Sequence, residues 1–294
     1  MQDSKVKVTS TPLPSQDRMD TSNFKVSSNP NAEFEQELVQ ELKAQTFPTN
    51  LVQLPSKGLL YSEDDPLSRG VIEVKDVTTK EENILTTESY IKAGIVIDKF
   101  LQSIIISPKF NFDNLLIGDK DQIILASRIY GYGANYGFEV TTPSGKKQKV
   151  EINLEEIECK EVDETLFNRN NLFDYSFENR KGKFDLQFKL LTVGDNKKID
   201  EKLKKKKAGA EDTQVTTRLE QMIVSVNGIS DPNVIKLFIA NDFLVRDSRA
   251  FRDYVAKLQP GPNMEVEIID EETGDSFLAS LTIGPNFFWP DLGV

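Results

Sequence analysis

Apolar residues fall into short periodic stretches separated by Pro, Gly and polar clusters, and the series runs through nearly twice. Val74-Lys75-Asp76-Val77-Thr78-Thr79-Lys80-Glu81 parallels Phe188-Lys189-Leu190-Leu191-Thr192-Val193-Gly194-Asp195. Leu115-Leu116-Ile117-Gly118-Asp119 parallels Leu237-Phe238-Ile239-Ala240-Asn241, and helix-like stretches with Ser127-Arg128 and Ser248-Arg249 follow. Each series closes on a strand, a turn and a strand, at Gly137 to Leu154 and at Met264 to Ile283. The spacing drifts by several residues, as in a degenerate duplication.

Within the first series, alternation predicts a strand over Gly70 to Val77. Thr86 or Thr87 then caps a long helix with Ile91, Ile95, Leu101, Ile104 and Ile105 inward, stopped at Ser107-Pro108. Asp119 is the expected N-cap of the next helix, with Ile123, Ile124 and Tyr130 inward and Gly131-Tyr132-Gly133 at its end. A hairpin turns at Pro143-Ser144-Gly145. In the second series a strand runs from Phe184 to Thr192, and a helix carries Leu219, Met222, Ile223 and Val226 up to Gly228. Asp231-Pro232 pairs an N-cap with proline at the first helical position and opens a helix with Val234, Ile235, Phe238 and Ile239 inward. Ala250, Phe251, Tyr254, Val255 and Leu258 mark the last long helix, ended by Pro260-Gly261-Pro262.

These patterns predict an α+β fold of two loosely duplicated lobes, each a small antiparallel sheet or hairpin with packed helices. The expected division is 1–46, a disordered tail and short amphipathic helix; 47–158, the first lobe; 159–183, an aromatic-rich connector lying across a lobe surface; and 184–294, the second lobe with an aromatic C-terminal segment. Residues 1–31 are too polar to offset their ordering entropy. From about Ala32 to Gln45, Phe34, Leu38 and Leu42 recur every fourth residue among Glu33, Glu35, Glu37 and Glu41.

Composition narrows the function. With 47 acidic against 36 basic residues the net charge is −11, which opposes binding to phosphate backbones or anionic lipid. Histidine is absent and Cys159 is the one cysteine. His-based acid–base catalysis, Cys–His nucleophiles and a His/Cys zinc site are therefore excluded, as is an intrachain disulfide. Apolar runs such as Ile104-Ile105-Ile106 are far too short to span a bilayer, and the polar N-terminus has no secretory character. The expectation is a protein made and kept in a cytoplasm.

Few residues offer chemistry. Glu155-Glu156 and Glu271-Glu272 could serve a glycosidase or a divalent metal, but such pairs arise by chance in a chain this acidic. Gly131-Tyr132-Gly133 lacks the spacing and the following Lys-Ser/Thr of a phosphate loop. Lys197 to Lys207 could touch nucleic acid, although Asp200 and Glu201 mark it as a solvated face. Two candidates point to protein partners instead: the stripe Phe34, Leu38 and Leu42, and the C-terminal cluster Phe287, Phe288 and Trp289. For the cluster, folding back to lid its own sheet is the competing reading.

The pieces resemble the baseplate hub assembly proteins of T-even-type contractile phages. Leu54-Pro55-Ser56-Lys57-Gly58-Leu59-Leu60-Tyr61, Val77-Thr78-Thr79-Lys80-Glu81-Glu82, Asp247-Ser248-Arg249-Ala250-Phe251-Arg252 and Gly284-Pro285-Asn286-Phe287-Phe288-Trp289-Pro290 carry the resemblance. It covers most of residues 50–294. Proteins it resembles often carry Cys-x-x-Cys-Gly turns suited to zinc at both hairpins. Here those turns read Thr142-Pro143-Ser144-Gly145 and Asp270-Glu271-Glu272-Thr273-Gly274, so zinc is not carried over.

The resemblance implies a non-enzymatic role in building the baseplate hub or remaining within it, with no cofactor. Its partners would be other phage tail or baseplate proteins, in a larger symmetric complex, with neither nucleic acid nor membrane. It would work in the host cytoplasm during assembly or in the virion's tail baseplate. The alternatives are a cytoplasmic adaptor or regulator with weak nucleic-acid contacts through Lys197–Lys207, and, last, a metal-dependent hydrolase.

Overall fold

Strand pairing begins where the alternation of apolar residues begins. Strand β1 (Thr49–Gln53) runs antiparallel to β2 (Val71–Lys75), with Val52 opposite Ile72 and both side chains buried. The computed structural model describes residues 48–107, 111–205 and 213–288. By compactness the chain divides into Met1–Thr46 and Phe47–Val294. The disordered tail and the amphipathic helix expected before residue 46 lie outside the described residues.

The loop between β1 and β2 explains its own sequence. Gly58 (φ +76°) and Gly70 (φ +72°) lie back to back, and a Cβ on Gly58 would come within 2.3 Å of the Ser68 carbonyl oxygen. Only glycine satisfies both the left-handed backbone and that approach. Leu54, Leu60 and Tyr61 on either side are buried.

Three short helices follow, α1 (Thr79–Leu85), α2 (Glu88–Ala93) and α3 (Val96–Ile104), the last two standing where one long helix from Thr86 or Thr87 is expected from sequence. Thr87 stands at the N-cap of α2, but Gly94 at φ +72° ends the helix after six residues. Ile91 and Ile95 consequently stay partly exposed, whereas Leu101 and Ile104 are buried. Helix α4 (Ile117–Tyr132) starts from Leu116, which places Asp119 inside its first turn and not at the cap. Ile123 and Ile124 are buried, and Tyr130 faces solvent. Strands β3 (Asn135–Thr141) and β4 (Lys147–Asn153) form the first hairpin, turning through Gly145 at φ +84°.

The connector is not a surface strap along its length. Residues Phe173–Asn179 form strand β5, which pairs with β6 (Gly182–Phe188). Phe173 stacks on Phe188 at 5.5 Å and Phe177 on Phe184 at 5.5 Å, so its aromatics build core. Helices α5 (Val193–Lys204) and α6 (Gln214–Met222) come next. Residues Ile223–Val226, expected to continue the helix, form strand β7 on the free edge of β6. β-branched Ile223 and Val226 favour the strand, and Asn227-Gly228 turns it at positive φ. Helix α7 (Pro232–Asn241) begins at the Asp231 cap, and α8 (Val245–Leu258) leads to the hairpin of β8 (Glu265–Ile269) and β9 (Ser276–Ser280). A last helical turn, α9, spans Pro285–Phe288.

Both halves repeat one local device. Lys75 pairs with buried Glu81 at 2.8 Å, and Glu81 accepts from the Thr78 N–H ahead of α1. Lys189 pairs with buried Asp195 at 2.7 Å, and Asp195 accepts from the Thr192 N–H ahead of α5. After the following helices, Ile105 bridges to Val74 just as Ile223 pairs with Phe188. The pairing expected from sequence is not kept through the helices, since Ser127-Arg128 lie late in α4 and Ser248-Arg249 lie in the first turns of α8. Leu116 and Asp119 at the start of α4 match Leu244 and Asp247 at the start of α8, not Leu237 and Asn241. One buried apolar cluster nevertheless runs from Val52 through Phe188 to Phe288, so the two halves share a core.

Candidate assembly surfaces

The charged groups that are buried hold backbone in place. Asp119 accepts from the Ser56 N–H at 2.9 Å, the Ser56 hydroxyl at 2.7 Å and the Tyr61 hydroxyl at 2.5 Å. The Tyr61 oxygen in turn accepts from the Leu116 N–H at 3.0 Å. Burial pushes the Asp119 carboxyl up, and the Ser56 and Tyr61 hydrogen bonds oppose it. Burial, with the Asp119 charge added, raises the Tyr61 phenol well above its usual value. The loop at 54–61 is thus latched onto the first turn of α4. Burial also presses on Asp195 and Glu81, but the lysine ammonium groups and the cap N–H groups hold both below the ordinary carboxylate range.

Arg128 lies buried on α4 and donates to three carbonyls, Phe287 at 3.1 Å, Gly133 at 2.5 Å and Asn135 at 3.1 Å. The first of these pins the C-terminal segment. Phe287 and Phe288 are each 1% exposed. Phe288 meets Phe100 edge-on at 4.8 Å, and Phe287 lies 5.0 Å from Tyr136. The two phenylalanines are therefore a lid on the core and present no surface to a partner, which corrects their assignment from sequence. Trp289, and likewise Phe34, Leu38 and Leu42, lie outside the described residues.

The hairpins β3–β4 and β8–β9 meet near their tips. The Gln148 amide donates to the Ile269 carbonyl at 2.9 Å and accepts from the Glu271 N–H at 3.2 Å, while Lys146 pairs with Glu272 at 2.6 Å. Asp270 is buried there, its carboxyl held low first by the Glu272 N–H and then by the Ser144 and Thr142 hydroxyls. Among the described residues no group of three or more His, Cys, Asp or Glu side chains could hold a metal ion. A groove of about 880 Å³ opens along β3 and β9, lined by Ile91, Phe138, Val140 and the exposed Leu278.

A family model described as the T4 bacteriophage base plate protein matches residues 48–236. The chain belongs to that family. No curated protein and no solved structure matches it. The span that matches the base plate family holds the Ser56–Asp119–Tyr61 latch and both Lys–acid clips, but ends before α8, the second hairpin and the aromatic lid.

The protein's exposed apolar residues are spread over several faces, with Leu51 on β1, Leu237 on α7, Val245 on α8 and Leu278 on β9. The first half of the basic stretch is paired with carboxylates. Lys197 pairs with Asp113 at 2.6 Å, Lys198 with Asp195 and Lys202 with Glu220, both at 3.9 Å. Lys206 and Lys207 lie outside the described residues. No described helix is long and apolar enough to cross a membrane. Sequence reasoning missed the latch because its members stand far apart in the chain. Ser56 stands beside Lys57 and Asp119 beside Lys120 and Asp121, so neither reads as a buried polar residue in the sequence.

Proposed function

We propose that this base plate protein acts in the hub of the baseplate, through protein–protein contacts and without covalent chemistry. Family membership over residues 48–236 carries the reading. The fate of the buried ionisable groups supports it, since Asp119, Glu81, Asp195 and Arg128 are all engaged in holding backbone. The partner-binding residues in this reading are Phe34, Leu38 and Leu42, with Trp289 beyond the buried lid. Assembly takes place in the host cytoplasm, and the partners are other tail and baseplate proteins within a symmetric complex. The recurring hairpin, Lys–acid clip and helices support descent from one duplicated unit, with lobes at 47–158 and 184–294.

Affinity purification of the tagged chain from infected cells tests this. Other baseplate proteins are expected to co-purify, and Trp289→Ala or a combined Phe34, Leu38 and Leu42 to Ala variant to lose them. Recovery of the chain alone at every stage of infection would count against the proposal.

A further inference from the structure

Helices α6 and α8 each turn one stripe of residues toward a shared groove. From α6 come Val215, Arg218, Leu219 and Met222; from α8 come Arg252, Val255 and Ala256, with Gln259 just past its end. The first set falls at i, i+3, i+4 and i+7 and the second at i, i+3 and i+4, the spacing of one helix face. Ile117 and Leu191 also line the groove, whose volume is about 320 Å³. Its floor is apolar and Val215 at its edge is 47% exposed. The charge around it runs against the rest of the molecule. Among the described residues no carboxylate lines this groove, and Arg218 and Arg252 do. The Arg252 Nε donates to the Ser248 carbonyl of its own helix at 3.3 Å. Among the described residues neither guanidinium pairs with a carboxylate.

We infer that this groove receives an acidic amphipathic helix of a partner protein. The apolar floor between the two helix stripes forms a trough into which a third helix packs with apolar anchors every three or four residues. Arginines from both walls select glutamate or aspartate beside those anchors, since guanidinium binds carboxylate in a fixed fork. The inference deepens the assembly reading by giving the chemistry of one partner surface. A peptide assay separates the two, because its failure leaves co-purification with baseplate proteins untouched.

The probe is a short synthetic helix with leucine at every third or fourth position and glutamate between, labelled for fluorescence anisotropy and added to the full chain. A matched peptide with lysine for glutamate serves as the second probe. The glutamate peptide is expected to bind saturably, more weakly as salt rises, and the lysine peptide not to bind. The double variant Arg218→Glu, Arg252→Glu changes only exposed side chains, and circular dichroism verifies its fold. It is expected to lose at least about tenfold in affinity for the glutamate peptide and to gain binding of the lysine peptide. Equal binding of both peptides, no saturable binding of either, or glutamate-peptide binding that survives the double reversal would overturn the inference. So would sedimentation showing that the chain dimerises through this groove, with the dimer lost in the double variant, since the occupant is then a second copy.

Discussion

Asp119 and Asp121, two residues apart on α4, show how one helix turn handles buried charge in two ways. Asp119 is compensated by three donors, so its side chain fastens the 54–61 loop. Replacing it with alanine strands those donors in the core, and Asp119→Ala is expected to cost about 3–5 kcal/mol in chemical denaturation. Asp121 lacks such compensation: burial pushes its carboxyl up to about 6, against the opposing charges of Lys120 and Lys160. A raised carboxyl pKa means the folded chain binds more protons than the unfolded one between the two values. Stability from this group is therefore present below the unfolded pKa of about 3.9 and is lost as pH rises to about 6. Asp121→Asn is expected to stabilise the protein by roughly 1–3 kcal/mol at pH 7.5, with the gain vanishing below about pH 4. Thermal melts across that range check the sign. At this scale the sequence was legible where a residue acts on near neighbours. Asp231 caps its helix as spacing predicts, accepting from the Asn233 N–H, while Asp119, placed at a cap by spacing, acts on a loop some sixty residues away.

Elements were legible where local signals agreed and illegible where a distant partner decided. Pro143-Ser144-Gly145 turns its hairpin as composition demands. Ile223–Val226 follows a helix without any breaker, and only the open edge of β6 makes it a strand. Gly94 shows the converse, since one left-handed residue ends a helix whose apolar stripe would otherwise continue. The same contest settles the C-terminal aromatics. Phe287 and Phe288 face Phe100, Tyr132 and Tyr136, and the Arg128 guanidinium holds the backbone that presents them. Phe288→Ala is expected to destabilise the fold by about 3–5 kcal/mol. Calorimetry showing no change in melting temperature would refute its role as a core lid.

For the whole molecule, composition limited function better than any motif located it. The absence of histidine and the single cysteine close several routes to catalysis at once, and the fold uses Asp119, Glu81 and Asp195 for its latch and clips. The hairpin tips are joined by the Gln148 amide and by the Lys146–Glu272 pair. Family membership places the chain in the phage baseplate, and contacts with other baseplate proteins follow as its proposed work. Electron microscopy of lysates from phage lacking this gene tests that claim most directly. Complete baseplates are expected to be missing, and to return when the gene is supplied in trans. Intact, infectious tails formed without the protein would contradict it.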